Sequence, residues 1–129
     1  MSSTAKQVHP MDILSIVDGY HEAINARQIG GIATSLTETA VLVADGIGVF
    51  EGRDAIIDGL RAYFDETEHP RIAYSRGEAV SQRAVRTLWT IAGPSADASR
   101  RMGEEIVFLD RDGFVEKVIV RDRTPANAA

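Results

Sequence analysis

The side chains best suited to moving a proton are Tyr20, His21, Asp45, Glu105 and Asp122. Tyr20 falls on an apolar stripe with Ile13, Ile16, Val17 and Ile24, so its phenol is expected to be buried. Aimed into a cavity, that hydroxyl could donate to a developing oxyanion; otherwise it is a core tyrosine bonded to backbone. His21, about 100° further round the helix, could relay a proton with Asp45 or Asp122, or be an ordinary half-exposed helix histidine. Asp45 follows Val41, Leu42 and Val43 at the end of a strand. Apolar walls there would raise its proton affinity, as a general base or acid requires, although Asp45 and Gly46 equally form a turn dipeptide. By the two-residue period of a strand, Glu105 shares a side with Val107 and Leu109, and Glu104 with Ile106 and Phe108. One of the two glutamates therefore faces inward. There it either stays protonated and donates a hydrogen bond, or pairs with an arginine such as Arg86 or Arg101. Asp122 ends the last strand as a further acid, or pairs with Arg121 or Arg123. Such a set could run general acid–base chemistry on a small molecule.

Composition removes other chemistries. The chain has no cysteine, so it has no disulfide, thiol nucleophile or cysteine-built zinc site. His9, His21 and His69 are scattered and give no metal spacing. Gly46, Gly48 and Gly52 match neither a dinucleotide-binding nor a phosphate-loop pattern. No cofactor is expected. A formal net charge of −5, with acids interleaved among the arginines, argues against nucleic acid. No apolar run has the length of a membrane span or the character of a signal peptide, so a cytoplasmic protein without a membrane partner is expected. The 129 residues suffice for one core. Residues 1–10 read as a flexible tail, 11–123 as a single domain and 124–129 as a second tail.

The elements that must position these groups follow from periodicity. A first helix is expected over 11–27, where Gly19 would make room for a neighbouring backbone, and a short second helix around Ile29, Ile32, Ala33 and Leu36. A strand with Val41, Leu42 and Val43 then runs through a glycine-punctuated turn into a third helix opened by Gly52, Arg53 and Asp54. Ile56, Ile57, Leu60, Tyr63 and Phe64 form that helix's inner face, and it must stop before His69 and Pro70. From Arg71 the period becomes two, predicting four strands in a meander: 72–80, 84–92, 101–109 and 114–121. A polar loop through Pro94, Ser95 and Asp97 and a turn of Asp110, Arg111, Asp112 and Gly113 join the last three. Helices segregated from strands mean an α+β fold, with helices on one face of a curved sheet. Val85, Thr87, Trp89 and Ile91 should line the inner face, where the indole either flanks a flat apolar ligand or packs in the core or a dimer interface. Apolar Leu88 and Phe108 on the outer face predict a homodimer through that face.

This order resembles the nuclear-transport-factor-2-like superfamily, in its ketosteroid-isomerase and SnoaL-like polyketide-cyclase branch. The resemblance rests on residues 20–26 (YHEAINA), on 39–43 (TAVLV) with Asp45 and Gly46, and on 51–56 (EGRDAI). Residues 112–115 (DGFV), ahead of a strand ending in Arg121 and Asp122, fit as well. It implies a cone-shaped, mostly antiparallel mixed sheet with three N-terminal helices on its concave face, a cystatin-like α+β barrel. It also implies proton abstraction next to a carbonyl of a small apolar molecule, giving isomerisation or aldol-type cyclisation, in a pocket where Tyr20 holds the enolate oxygen, with Glu105 at the place of a second, protonated acid. Counted without a gap from Tyr20, the isomerase's aspartate falls on Ala44, one residue short of Asp45. The expected catalytic set is Tyr20, Asp45, Glu105 and Asp122, with His21, Val43, Phe64, Trp89 and Val107 around the substrate. Alternatives on the same fold are a non-catalytic binding or dimerisation module and an epoxide hydrolase. The latter needs an Arg-x-Asp spacing that residues 84–109 lack.

Overall fold

A computed structural model describes residues 10–66, 71–91 and 101–125. The expected tails (save Pro10, Thr124 and Pro125), the loop through Pro94, Ser95 and Asp97, and His9, His69 and Pro70 lie outside these residues. Three helices come first: α1 (Pro10–Asn25), α2 (Ile29–Ser35) and α3 (Arg53–Glu66). The strands are β1 (Leu36–Ala44), β2 (Gly48–Glu51), β3 (Ile72–Tyr74), β4 (Glu78–Ser81), β5 (Ala84–Ile91), β6 (Arg101–Leu109) and β7 (Val115–Asp122). They form one mixed sheet in the order β2-β1-β7-β6-β5-β3, with β4 also on β5. The chain is thus α+β, with its helices packed against one face of the sheet.

Several expectations need correction. The glycine-punctuated turn is a hairpin, with β2 paired antiparallel to β1 through Val43 and Val49. Gly46 (φ 76°) and Gly48 (φ 146°) supply the left-handed turn that opens it. The single strand expected over 72–80 breaks into β3 and β4, both on β5. Gly77 sits at the break because a Cβ there would meet the Val85 side chain at 2.8 Å. The meander is β5-β6-β7 only, and β1 joins it parallel to β7. Gly19 faces open space and makes room for nothing. Gly59 has that role instead, taking the Phe50 ring where a Cβ would lie 2.8 Å from it. The turn from Asp110 to Gly113 forms as read, with the Asp110 carboxylate accepting from the Asp112 and Phe114 amides.

The sheet register decides what faces the helices. Reading across strands, one inner row is Val85, Val107, Val118 and Leu42. The next is Thr87, Glu105, Val120 and Ala44, and a third is Trp89, Gly103 and Asp122. The first row belongs to the dry core with Ile13, Val17, Ile32 and Ile56. Polar groups enter only from the second row onward. Gly103 is required in the third, since a Cβ would run into the Arg121 carbonyl and the Trp89 ring. The indole lies across it and donates to the Glu104 carbonyl at 3.2 Å.

Candidate functional site

The polar centre of the interior is a hydrogen-bonded histidine–glutamate pair. His21 Nε2 on α1 meets Glu105 Oε1 on β6, with His21 only 5% and Glu105 6% exposed. Two rings and a hydroxyl close around it. Tyr74 stacks flat on the imidazole with ring centroids 3.6 Å apart, and Tyr20 lies tilted at 5.7 Å. Thr87, opposite Glu105 in the β5–β6 ladder, keeps its buried hydroxyl without a hydrogen-bond partner. Burial first, and the Glu105 charge second, push the Tyr20 and Tyr74 phenols well above their ordinary range. Both therefore remain O–H donors at any physiological pH. Among the described residues, no hydrogen bond uses the Tyr20 or Tyr74 hydroxyl, His21 Nδ1 or Glu105 Oε2. Those four atoms are what the cluster can offer a bound molecule.

A cavity of about 100 Å³ is lined by Ile24, Asn25, Arg27, Tyr63, Phe64, Arg71 and Ile72. Ile24 is one helical turn beyond His21, and Ile72 shares the inner face of β3 with Tyr74. The Asn25 amide clamps β3 here, donating to the Ile72 carbonyl and accepting from its N–H, both at 2.9 Å. Tyr63 connects the two regions. Burial raises its phenol, the Arg101 and Arg27 charges pull it back, and it acts electrostatically on Tyr74.

The expected site residues divide accordingly. Tyr20 is buried (4% exposed) beside the pair, and Glu105 is the inward glutamate. The arginine partner belongs to Glu104 instead, which faces outward to Arg86 at 2.7 Å and Arg123 at 2.9 Å. His21 is neither half-exposed nor paired with Asp45 or Asp122; the sheet register brings it Glu105. Asp45 sits exposed in the β1–β2 turn, where its carboxylate accepts the Asp122 N–H at 3.3 Å. The inner-facing position is Ala44, as the ungapped count requires. Asp122 pairs with Arg101 rather than Arg121 or Arg123, and hydrogen bonds from Thr124 and Arg101 hold its carboxyl down to about 2. Phe64 lines the cavity, Trp89 covers Gly103, and Val107 is wholly buried core. Val43 is on the outer face, in register with Ile119. Sequence reasoning missed Tyr74 as a site residue, although the alternation of Ile72 and Tyr74 carried the signal.

A family model for the SnoaL-like domain matches residues 17–117. The chain belongs to the SnoaL-like domain family. That match spans α1 through the start of β7 and so holds both members of the buried pair. Compared by sequence with curated proteins, this SnoaL-like domain matches none. Among solved structures it is similar to an NTF2-like protein from Exiguobacterium sp. 255-15, with TM-score 0.72 and 19% identity over 85% of this chain and 99% of that one. It is also similar to a candidate ketosteroid isomerase from Kribbella flavida DSM 17836 (TM-score 0.73, 15% identity, 91% and 82% covered). A candidate polyketide cyclase from Sinorhizobium meliloti is a third (TM-score 0.72, 13% identity, 83% and 94% covered). Identities this low establish a shared fold. Among the described residues, no helix of the SnoaL-like domain is long and apolar enough to cross a membrane.

Proposed function

We propose that this SnoaL-like domain binds a small, mostly apolar carbonyl compound and moves a proton on it without a cofactor, by isomerisation or cyclisation. The observation that carries this reading is the His21–Glu105 pair, buried in an apolar interior beside phenols that make no other hydrogen bond among the described residues. Glu105 orients the imidazole, and His21 Nδ1 takes the proton from carbon. Tyr20 and Tyr74 donate to the oxygen on which charge develops, where low dielectric strengthens each bond. In this assignment Asp45 and Asp122 lie outside the reacting centre, and Trp89 supports the wall. Access runs past Tyr74, which rides on a three-residue edge strand held by few ladder bonds.

A panel of enolisable ketones in D₂O tests the proposal, with deuterium incorporation read by mass spectrometry. The wild-type chain should catalyse exchange with at least one ketone, while Glu105→Gln and His21→Asn should each lose about 100-fold or more. Exchange that survives both substitutions sinks the assignment. The rival reading, a passive binding module, is favoured by how fully the pair is closed off. It predicts ketone binding with no exchange in any variant. We also propose a homodimer through the outer sheet face, where Leu88 is 47% and Met102 37% exposed. Light scattering that gives the monomer mass at micromolar concentration would refute it.

A further inference from the structure

Just past the end of α1 the backbone is strained. Gln28 N–H reaches the Ala23 carbonyl and Arg27 N–H the Ile24 carbonyl, both at 3.0 Å, which places Arg27 at the left-handed position ending a helix. Its φ is +56°, the single non-glycine positive φ among the described residues. Glycine is the residue that takes this conformation without clash; arginine is not. A cation is electrostatically favoured near a helix C-terminus, and the last turn of α1 itself holds no basic residue. The Arg27 side chain lies over the Phe64 ring, 5.9 Å from its centroid, in the wall of the cavity beside Tyr63.

Arg71 stands on the same cavity, and among the described residues no ion pair engages it. Two guanidinium groups share a small cleft whose other walls are Ile24, Asn25, Ile72 and two aromatic rings, on a chain of net charge −5. Guanidinium forks match carboxylate geometry, and the rings suit a flat or alicyclic body. We propose that this cleft binds a small aromatic or alicyclic carboxylate, with Arg27 and Arg71 holding the carboxylate and the apolar body directed past Tyr63 and Ile72. Binding itself is independent of the acid/base reading; the inference rests on that reading only in carrying the far end of such an acid toward Tyr74 and His21. At about 100 Å³ the cleft is smaller than the ~150 Å³ apolar cavity that accepts a benzene ring. Part of the body must therefore extend beyond it.

The test is an NMR titration of the ¹⁵N-labelled full chain with benzoate and with its neutral counterpart benzamide. Both are carried to about 10 mM, tenfold above a Kd of ~1 mM. Benzoate should saturably shift the amides of Ile24, Tyr63 and Ile72 and bind at least tenfold more tightly than benzamide. Arg27→Gly, which suits the positive φ, should lose that tenfold preference. Arg71→Ala, at an exposed position, should give the same loss and keeps the test decisive should the first variant misfold. Equal binding of the two probes, shifts centred elsewhere, no saturable shift, or unchanged benzoate affinity in both variants would overturn the proposal. Benzoate binding without ketone exchange would sink the acid/base reading alone, and exchange without benzoate binding would sink only this one.

Discussion

Glu104 and Glu105 are neighbours on one strand, are almost equally buried (8% and 6% exposed), and face opposite sides of the sheet. Outside, Glu104 accepts from Arg123 and Arg86, with Arg121 at 3.6 Å. Those hydrogen bonds, Arg123 first and Arg86 second, hold its carboxyl below the usual range. Inside, Glu105 meets one imidazole, stacked under a tyrosine and next to a second phenol. A carboxylate ringed by permanently charged guanidinium groups is fixed in one protonation state and ties β5, β6 and β7 together. A carboxylate whose partner can itself take up and release a proton keeps a choice open. Side-chain type and burial are the same on both faces, so it is the partner that separates a structural acid from the one we propose takes part in chemistry.

The largest test of that contrast is the pair Glu105→Gln and Glu104→Gln. The first should cut ketone exchange by about 100-fold or more while the chain still folds, since the amide keeps a hydrogen bond to His21. The second should leave exchange nearly intact and lower the melting temperature, by an amount that shrinks in high salt. Reversed outcomes would break the distinction. Tyr20→Phe should cost exchange roughly 10- to 100-fold with little change in binding, seen as a fall in kcat at constant KM. Gly103→Ala should destabilise the fold by about 2 kcal/mol in urea unfolding, because a backbone carbonyl and the Trp89 ring both stand in the way. The smallest effect concerns acid. Asp122 falls from an ordinary 3.8 to about 2 in the folded chain, so the native state favours its ionised form. Its stabilisation is complete above about pH 4 and is lost as pH falls toward about 2. Asp122→Asn should remove that part of the acid-unfolding curve.

Local pattern settled a good deal. The stripe of Ile13, Val17 and Ile24 placed Tyr20 inside, because helical period alone says which side chains share a face. Alternation along β6 paired Glu105 with Val107 and Leu109, and the turn from Asp110 to Gly113 fixed the hairpin into β7. What pattern left open was which distant groups meet. Asp45 looked like the interior acid from its place after an apolar strand, yet the parallel pairing of β1 with β7 turns Ala44 inward and leaves Asp45 in the turn. His21 looked half-exposed from its place at the edge of a helical stripe. Only the closing of sheet against helix brings it to Glu105, 84 residues away, and lays Tyr74 over it. Sequence by itself determined the three helices, the strands β5, β6 and β7 and most of their faces, since those follow from neighbours a few residues apart. Tertiary structure decided the rest and the partners, since a side-chain pair across the core depends on strand register and helix docking, which no local spacing encodes.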